Sequence, residues 1–297
     1  MAADDFITNL KENFRRGNIV TRLLYINIGV FLVSSLAGII LMLFKVPSFP
    51  WMNLLELPAW WEKFIRQPWS LFTYMFMHAN VFHILFNMLW LYWFGKLFLQ
   101  FFSSKHLRGL YLLGGICGGL LYMVAYHVFP YFEQALPTSY LLGASASVLA
   151  IVVAVAVKEP DYPVQLMFFG TVRLRTIALI IIVLDLMLVT SGNAGGHISH
   201  LGGALAGWWF SAGLRKGNDA TRWINTVLDG CTNWKKPSVR KPKMKVYYGD
   251  KQKDYDFNTR KKAREEEVDR ILDKLRKSGY GSLTEEEKKR LFDASKK

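Results

Sequence analysis

The sequence has little cysteine and, over most of its length, little charge. Cys117 and Cys231 are the two cysteines, and they fall in parts of different composition, so we expect no structural disulfide. Residues 1–214 hold 13 of the 37 Lys/Arg and 9 of the 23 Asp/Glu, whereas residues 215–297 hold the remaining 24 and 14. The mean hydropathy of +0.16 averages these two parts. This division excludes a secreted disulfide scaffold, a disordered chain and an ordinary cytosolic enzyme.

The part that lacks charge contains six apolar segments. They are residues 19–44, 81–102, 107–129, 144–157, 176–190 and 196–214. A membrane-spanning helix needs about 20 apolar residues, so the shorter segments must be buried in a bundle. The loops 103–106 and 158–175 carry Lys or Arg, whereas the loops 130–143 and 191–195 carry none. This alternation predicts an all-helical, multi-pass membrane protein with both termini in the cytoplasm.

The composition predicts four regions. They are a cytoplasmic N-terminal segment (1–18) that belongs to a retained signal anchor, a membrane domain (19–214), a basic linker (215–258) and a helical cytoplasmic tail domain (259–297). The basic residues crowd behind the last apolar segment, where they retain the tail in the cytoplasm and meet anionic lipid head groups. A nucleic-acid binder would instead place them on a folded face near stacking aromatics. We therefore expect membrane lipids, and no nucleic acid, as partners.

The tail domain has the pattern of a helical hairpin. Its first helix has an apolar stripe at helical spacing, formed by Val268, Ile271, Leu272 and Leu275. Gly279 and Gly281 end that helix. Ser282 and Glu285 match a capping box for a second helix that buries Leu291 and Phe292.

Polar side chains inside the apolar segments are costly and therefore informative. Those well inside are His83, Asn87, Ser145, Ser147, Asp185 and His200. A rise of 1.5 Å per residue places Ser145, His200 and Asn87 about 20–24 Å above the cytoplasmic end of their segments. Three polar groups from three segments at one depth predict a common buried site.

The local sequences indicate what this site does. Gly143 and Ala144 precede Ser145 at the start of a segment, where free helix amides suit an oxyanion. Gly203 and Gly207 follow His200 as a Gly-x-x-x-Gly pair, which lets two helices approach closely. A serine and a histidine brought together are a nucleophile and its general base.

His83 and Asn87 are four residues apart, so they share one helix face. Two donors on one face can point at a developing negative charge. We therefore place His83 and Asn87 in a candidate oxyanion hole.

Each of these features also has a purely structural interpretation. A serine at a helix start is usually a cap, and a Gly-x-x-x-Gly pair usually serves packing, which is how we interpret Gly114 and Gly118. A histidine in a span could be a proton relay or a metal ligand. We expect no metal, because no Cys or carboxylate lies at the same depth with ligand spacing. Asp185 is interpreted as a hydrogen-bonding strut that is not catalytic.

Together these motifs resemble the rhomboid family of intramembrane serine proteases over residues 19–214. The resemblance rests on Thr73-Tyr74-Met75-Phe76-Met77-His78, His83-Ile84-Leu85-Phe86-Asn87, Gly95, Gly143-Ala144-Ser145-Ala146 and His200-Leu201-Gly202-Gly203 with Gly207. It implies a six-helix bundle and a Ser–His dyad without an acidic third member. Ser145 would be the nucleophile and His200 the base. The amide of Ser145 and the side chains of His83 and Asn87 would form the oxyanion hole.

Three positions depart from the family pattern. Ala146 replaces a glycine, Ser70 replaces the arginine of a Trp-Arg pair, and Leu149 replaces an aromatic residue that stacks on the histidine. These departures bear on the lid and on the orientation of the base more than on the chemistry.

The predicted function is an intramembrane serine endopeptidase in a bacterial inner membrane, cleaving transmembrane segments of membrane-protein substrates without a cofactor. The alternative is a non-proteolytic, rhomboid-like scaffold that binds client transmembrane helices. Inactive relatives typically lack the serine or the histidine, and this chain has both. A transporter is disfavoured because inverted repeats are not evident.

Overall fold

The computed structural model describes residues 2–45, 52–166, 170–233 and 251–295. Residues 234–250 of the predicted linker therefore lie outside the described part. The chain divides into two compact units, residues 1–236 and residues 237–297. We describe each unit by itself.

The first unit is mostly helical. Its helices are α1 (Ala2–Arg16), α2 (Ile19–Leu43), α3 (Trp61–Arg66), α4 (Ser70–Thr73), α5 (Val81–Phe101), α6 (Ser104–Val128), α7 (Ser145–Lys158), α8 (Leu174–Met187), α9 (Ala194–Arg215) and α10 (Arg222–Asn233). Two short antiparallel pairs of strands lie in the segments that connect these helices. They are β1 (Leu57–Pro58) with β2 (Tyr140–Leu141), and β3 (Pro163–Leu166) with β4 (Gly170–Arg173).

Each of the six apolar segments forms a helix, namely α2 and α5 to α9. Polar residues begin three of them, because a side-chain oxygen accepts a hydrogen bond from an otherwise unpaired first-turn amide. Asn18, Asn80 and Ser103 do this at 3.0, 2.9 and 3.2 Å. Within the described part, α2, α5 and α6 are long and apolar enough to cross a membrane, and α7 is a shorter apolar helix. A helical membrane protein is therefore supported, whereas the count of six spans stays a prediction.

Helix α7 is the centre of this unit, since residues 146–156 are all buried. It touches α9 backbone to backbone. A Cβ atom added at Gly203 would lie 2.1 Å from the Ala146 carbonyl oxygen, and one at Gly207 would lie 2.3 Å from that of Ala150. These contacts are of the kind that a Gly-x-x-x-Gly pair predicts.

Helix α6 packs on another side of α7 through glycines. A Cβ atom at Gly114 would lie 2.5 Å from the Ala150 Cβ, and one at Gly118 would lie 2.7 Å from the Ala146 Cβ. The interpretation of Gly114 and Gly118 as packing residues matches this geometry. Gly118 also leaves the room that the methyl group of Ala146 occupies.

Helix α10 lies in the region predicted as a linker, and the sequence analysis did not predict it. Arg108 of α6 donates a 2.7 Å hydrogen bond to the Asn225 side chain and also contacts Asp229. Ile224 of α10 is buried. The helix was missed although Ile224, Val227 and Leu228 stand at helical spacing, and it is stabilised by contacts with α6.

The second unit is a helical hairpin of α11 (Lys251–Ser278) and α12 (Glu285–Ser295). Gly279, at φ +76°, ends α11 in the left-handed region, as expected of a glycine. Ile271 is buried, whereas Leu272 of the same predicted stripe is exposed.

The capping box of α12 lies two residues later than predicted. Residues 280–282 form a short 3-10 helix, so Ser282 cannot be the cap. Instead, the Thr284 amide donates to the Glu287 carboxylate at 2.8 Å, and the Glu287 amide donates to the Thr284 hydroxyl at 3.3 Å. Leu291 is half-buried and Phe292 is 59% exposed, so the predicted burial of Phe292 is wrong.

Candidate active site

Ser145 is the first residue of α7, and the chain before it is held in a fixed turn. The Gly143 amide donates a 2.9 Å hydrogen bond to the Tyr74 carbonyl, and strand β2 lies directly upstream. Gly143 has φ +129°, and a Cβ atom there would lie 2.9 Å from Nε2 of His83. A glycine is needed for both reasons. First-turn amides such as that of Ser145 have no carbonyl four residues earlier in the helix, so they are available to a ligand.

His200 lies on α9 and is held by a carboxylate from α8. Its Nδ1 lies 2.9 Å from Oδ1 of Asp185, and Nδ1 of His197 lies 2.7 Å from the same oxygen. Asp185 is 5% exposed. Because an ionised carboxylate only accepts hydrogen bonds, both rings donate from Nδ1. In the neutral form, Nε2 of His200 then has a free lone pair.

This geometry corrects the sequence analysis. Asp185 does act as a hydrogen-bonding strut, but the expectation that no carboxylate lies at the level of His200 is wrong. The Ser–His dyad without an acidic third member, which the family resemblance implied, stays a prediction, although Asp185 lies beside His200. Depth was counted along straight helices from their cytoplasmic ends, and that count ignores helix tilt and the offset between helix ends.

A carboxylate and two histidines do lie close enough together to be considered as metal ligands. The ligand atoms of Asp185, His197 and His200 all lie within 4.8 Å of one another, and transition metals bind such donors. The distances of 2.7 and 2.9 Å to one shared oxygen are those of hydrogen bonds. We therefore interpret the three side chains as a hydrogen-bonded cluster.

A cavity of about 510 Å³ brings the candidate residues together. It is lined by Ser145 of α7, His200 of α9, and His83 and Asn87 of α5, among mainly apolar neighbours. The recorded hydrogen bond of the His200 ring is to Asp185 and not to Ser145. Nucleophile–base hydrogen bonds are often long in ligand-free enzymes, so the shared cavity is the informative observation.

His83 is oriented to donate into the cavity. The Ala79 amide donates to its Nδ1 at 3.4 Å, so in the neutral ring Nε2 carries the hydrogen. The Cβ position of Gly143 lies 2.9 Å from Nε2 of His83 and 3.6 Å from Oγ of Ser145. Nε2 of His83 and Oγ of Ser145 therefore lie on either side of Gly143, close to each other.

Asn87 is tied to its own helix and not to a second one. Its Nδ2 donates to the His83 carbonyl at 2.9 Å, and the residue is 8% exposed. A side-chain amide has two N–H groups, so one is left for a ligand in the cavity.

The structure also places the three departing residues. Leu149 lines the cavity on the same helix as Ser145, and Ala146 packs on α6 and α9 as described above. Ser70 is fully buried, and its hydroxyl has no hydrogen-bond partner among the described residues.

Sequence reasoning missed three polar neighbours of the site. Asn80 and Asn193, which directly precede α5 and α9, line the cavity, and His197 shares the Asp185 oxygen. The available signal was the spacing of His197 and His200 on one helix face, opposite an acidic residue within an apolar segment.

The fold and the cavity define a class: a helical membrane protein with a mainly apolar cavity in which a serine, two histidines and an asparagine from three helices meet. The pattern of the Rhomboid domain family matches residues 65–217, just over half of the chain. The chain belongs to the rhomboid family. A family of unknown function, DUF6576, matches residues 251–297, which covers the helical hairpin of the second unit.

Two curated relatives are similar over the rhomboid region. RHOMBOID-like protein 12, mitochondrial, of Arabidopsis thaliana is 29% identical over 157 residues, which cover 50% of this chain and 47% of the relative. Presenilin-associated rhomboid-like protein A, mitochondrial, of Danio rerio is 30% identical over 138 residues, 46% of this chain and 34% of the relative. The chain thus spans less than half the length of either. Their mitochondrial names do not fit the predicted bacterial inner membrane, whereas a location in a membrane is supported.

Proposed function

We propose that this protein is an intramembrane serine endopeptidase that cleaves transmembrane segments of membrane-protein substrates. One observation carries the proposal. A single cavity among membrane helices holds Ser145 at a helix start, His200 on a neighbouring helix, and the donors His83 and Asn87. Membership of the rhomboid family is in accord with it.

In the proposed reaction, Oγ of Ser145 attacks the scissile carbonyl while Nε2 of His200 takes its proton. The protonated His200 then gives this proton to the leaving amine, which departs as the C–N bond breaks and leaves the acyl-enzyme. His200 next takes a proton from water, whose oxygen attacks the ester carbonyl, and returns it to Oγ of Ser145 as the ester bond breaks and the new carboxyl end is released. The mechanism requires Nε2 to be unprotonated at the start, which the Nδ1 hydrogen bond to Asp185 favours.

The negative charge that develops on the carbonyl oxygen needs donors that are already in place. The Ser145 amide, Nε2–H of His83 and the second N–H of Asn87 are suited to this role. All three come from residues that line the cavity. The apolar remainder of the lining strengthens each of these hydrogen bonds by lowering the local dielectric constant.

We further propose that α2 and α5 to α9 all cross the membrane, with both ends of the chain on the same face. The basis is that all six apolar segments are helical and that the loops 103–106 and 158–175 carry Lys or Arg whereas 130–143 and 191–195 carry none, which outweighs the three basic residues of the loop 45–80. Labelling of single cysteines introduced at Glu133 and Arg173 by an impermeant reagent tests this topology. The two positions should be labelled from opposite sides.

A covalent serine-directed probe and a model transmembrane substrate test the activity. Ser145→Ala should abolish labelling and cleavage. Ser147→Ala is the matched control, because Ser147 is a buried serine two residues later on the same helix and should leave both unchanged. His200→Ala should abolish both, whereas His127→Ala, at the end of α6, should not. Cleavage by folded Ser145→Ala protein would contradict the proposal, and client binding without any labelling would favour the scaffold.

A further inference from the structure

Asp185 is a buried carboxylate whose recorded neighbours are two histidines of α9. Oδ1 accepts from Nδ1 of His200 at 2.9 Å and from Nδ1 of His197 at 2.7 Å. Oδ2 is buried and has no hydrogen-bond partner within the described part of the chain. The polar interactions of Asp185 are therefore directed at these two rings.

A buried carboxylate at this place interacts more strongly with a protonated His200 than with a neutral one. An ionised group in an apolar interior is costly unless it is compensated, and two neutral imidazole N–H groups compensate it only in part. When His200 takes a proton from Ser145, the contact becomes an ion pair in a medium of low dielectric constant. The interaction is thus strongest while the base is protonated, and not while substrate is merely bound.

We infer that Asp185 is a positioning residue for His200, so that the serine and histidine have an acidic third member. Asp185 fixes the ring with Nδ1 protonated and Nε2 free, and it stabilises the imidazolium that forms during the reaction. The inference rests on the proposed function. It differs from the dyad without an acid that the family resemblance implied.

The competing explanation is that Asp185 only ties α8 to α9. His197 separates the two explanations, because it makes the shorter hydrogen bond to the same oxygen and does not line the cavity. A purely structural tie would depend on His197 at least as much as on His200.

Steady-state cleavage and melting temperature should be measured on the same detergent preparation for Asp185→Asn, Asp185→Glu and His197→Gln in the full chain. We expect Asp185→Asn to lower kcat by about 10²-fold, at the lower end of the range for acid–base catalysis, with little change in KM. Asp185→Glu, which restores a carboxylate, should recover part of kcat. His197→Gln should lower the melting temperature with a much smaller effect on kcat.

Two results would overturn the inference. One is wild-type kcat in folded Asp185→Asn. The other is an equal loss of kcat in Asp185→Asn and His197→Gln that follows the loss of melting temperature.

A second measurement separates this inference from the proposed function. Nitrogen-15 NMR of labelled histidine, assigned with His200→Gln, reports which ring nitrogen of His200 carries the hydrogen. We expect Nδ1 in the wild type and loss of that preference in Asp185→Ala. If the wild type shows this Nδ1 preference but neither cleaves substrate nor reacts with the probe, the proposed protease activity is rejected and the positioning role of Asp185 is retained. An Nε2-protonated His200 in the wild type would reject the positioning role.

Discussion

The two units of this chain use polar residues in opposite ways. In the membrane unit the polar groups of the candidate site are few and largely buried, as Asp185 is beside His200. In the C-terminal hairpin they are many and exposed, as in the contacts of Lys274 with Glu287 and of Arg290 with Glu267. Exposed ion pairs contribute about 0–1 kcal/mol each. Chemistry is therefore expected where polar groups are costly, in the first unit.

The first unit also buries more apolar side chains than the described part of the second. In the first unit α7 is buried over residues 146–156 and is fitted to its neighbours by glycines. In the described part of the second unit, Ile271 and Leu283 are the buried apolar side chains. A substitution in the first unit should therefore act through shape, and one in the second mainly through helix ends.

After the complete loss expected for Ser145→Ala and His200→Ala, the largest effect is expected at the oxyanion donors. His83→Ala and Asn87→Ala should each lower kcat by about 10²-fold or somewhat less, since loss of one such donor elsewhere costs roughly 10²–10³ and the Ser145 amide remains. Turnover and melting temperature are measured on one preparation. Asn27→Ala is the matched control, because Asn27 is buried and donates to Leu23 four residues earlier at 2.8 Å, as Asn87 does to His83. It should reduce stability and leave turnover per folded molecule unchanged.

Loss of stability with intact turnover in both His83→Ala and Asn87→Ala would remove these residues from the site. The membrane unit would then resemble the hairpin in using its polar groups for structure, except at Ser145 and His200.

The next largest effect is expected at Gly203. Gly203→Ala adds a methyl group 2.1 Å from a carbonyl oxygen of α7, so it should destabilise the protein by about 1–3 kcal/mol or more, as overpacking does. Gly29→Ala is the control, because nothing lies within 4 Å of the added atom. Thermal unfolding in detergent measures both. Equal melting temperatures would show that α7 and α9 are not packed as closely as described.

A pair of truncations locates the boundary between the units. A chain ending at residue 236 should keep its turnover, because the cavity lies wholly within the first unit. A chain ending at residue 217 should be less stable, because it loses α10 and its hydrogen bond from Arg108 to Asn225. Yield of folded protein and cleavage are compared. Loss of activity in the chain ending at residue 236 would show that the hairpin is required for chemistry.

The smallest effect is expected at the start of α12. Thr284→Ala should cost about 1 kcal/mol, the usual value for an N-cap, and helix content of a 237–297 fragment measures it.

The Thr284 amide, and then Lys274, hold the pKa of Glu287 below its ordinary value of 4.5. A carboxyl with a lowered pKa stabilises the folded form above its unfolded pKa, and this stabilisation is lost as pH falls through the folded pKa.

Helix content of the fragment should therefore decline below about pH 4.5. The acid-dependent part of this decline should be smaller in Glu287→Gln than in Glu286→Gln, which changes a neighbouring carboxylate of the same helix. Identical dependence of helix content on pH in the two variants would show that the capping box does not contribute to the stability of the hairpin.

The sequence by itself determined where the six apolar helices are. Long apolar runs have few alternatives to helix in a membrane, so all six segments were located to within a few residues. The candidates Ser145, His200, His83 and Asn87 were found for a related reason, because a polar side chain in such a run needs an explanation. Polar regions carry a weaker signal, and there α10 was missed and the capping box was placed two residues too early.

The tertiary structure decided which side chains meet. Asp185 and His200 are 15 residues apart on different helices, and a constant rise per residue predicted different depths for them. Their contact depends on how α8 and α9 lie beside each other, which helical periodicity does not determine. Likewise, the sequence determined that Gly203 permits a close approach, but only packing decided that α7 and its carbonyls lie there. Helical periodicity is a local property of the backbone, whereas distances between helices are set by the shapes of all the surfaces in contact.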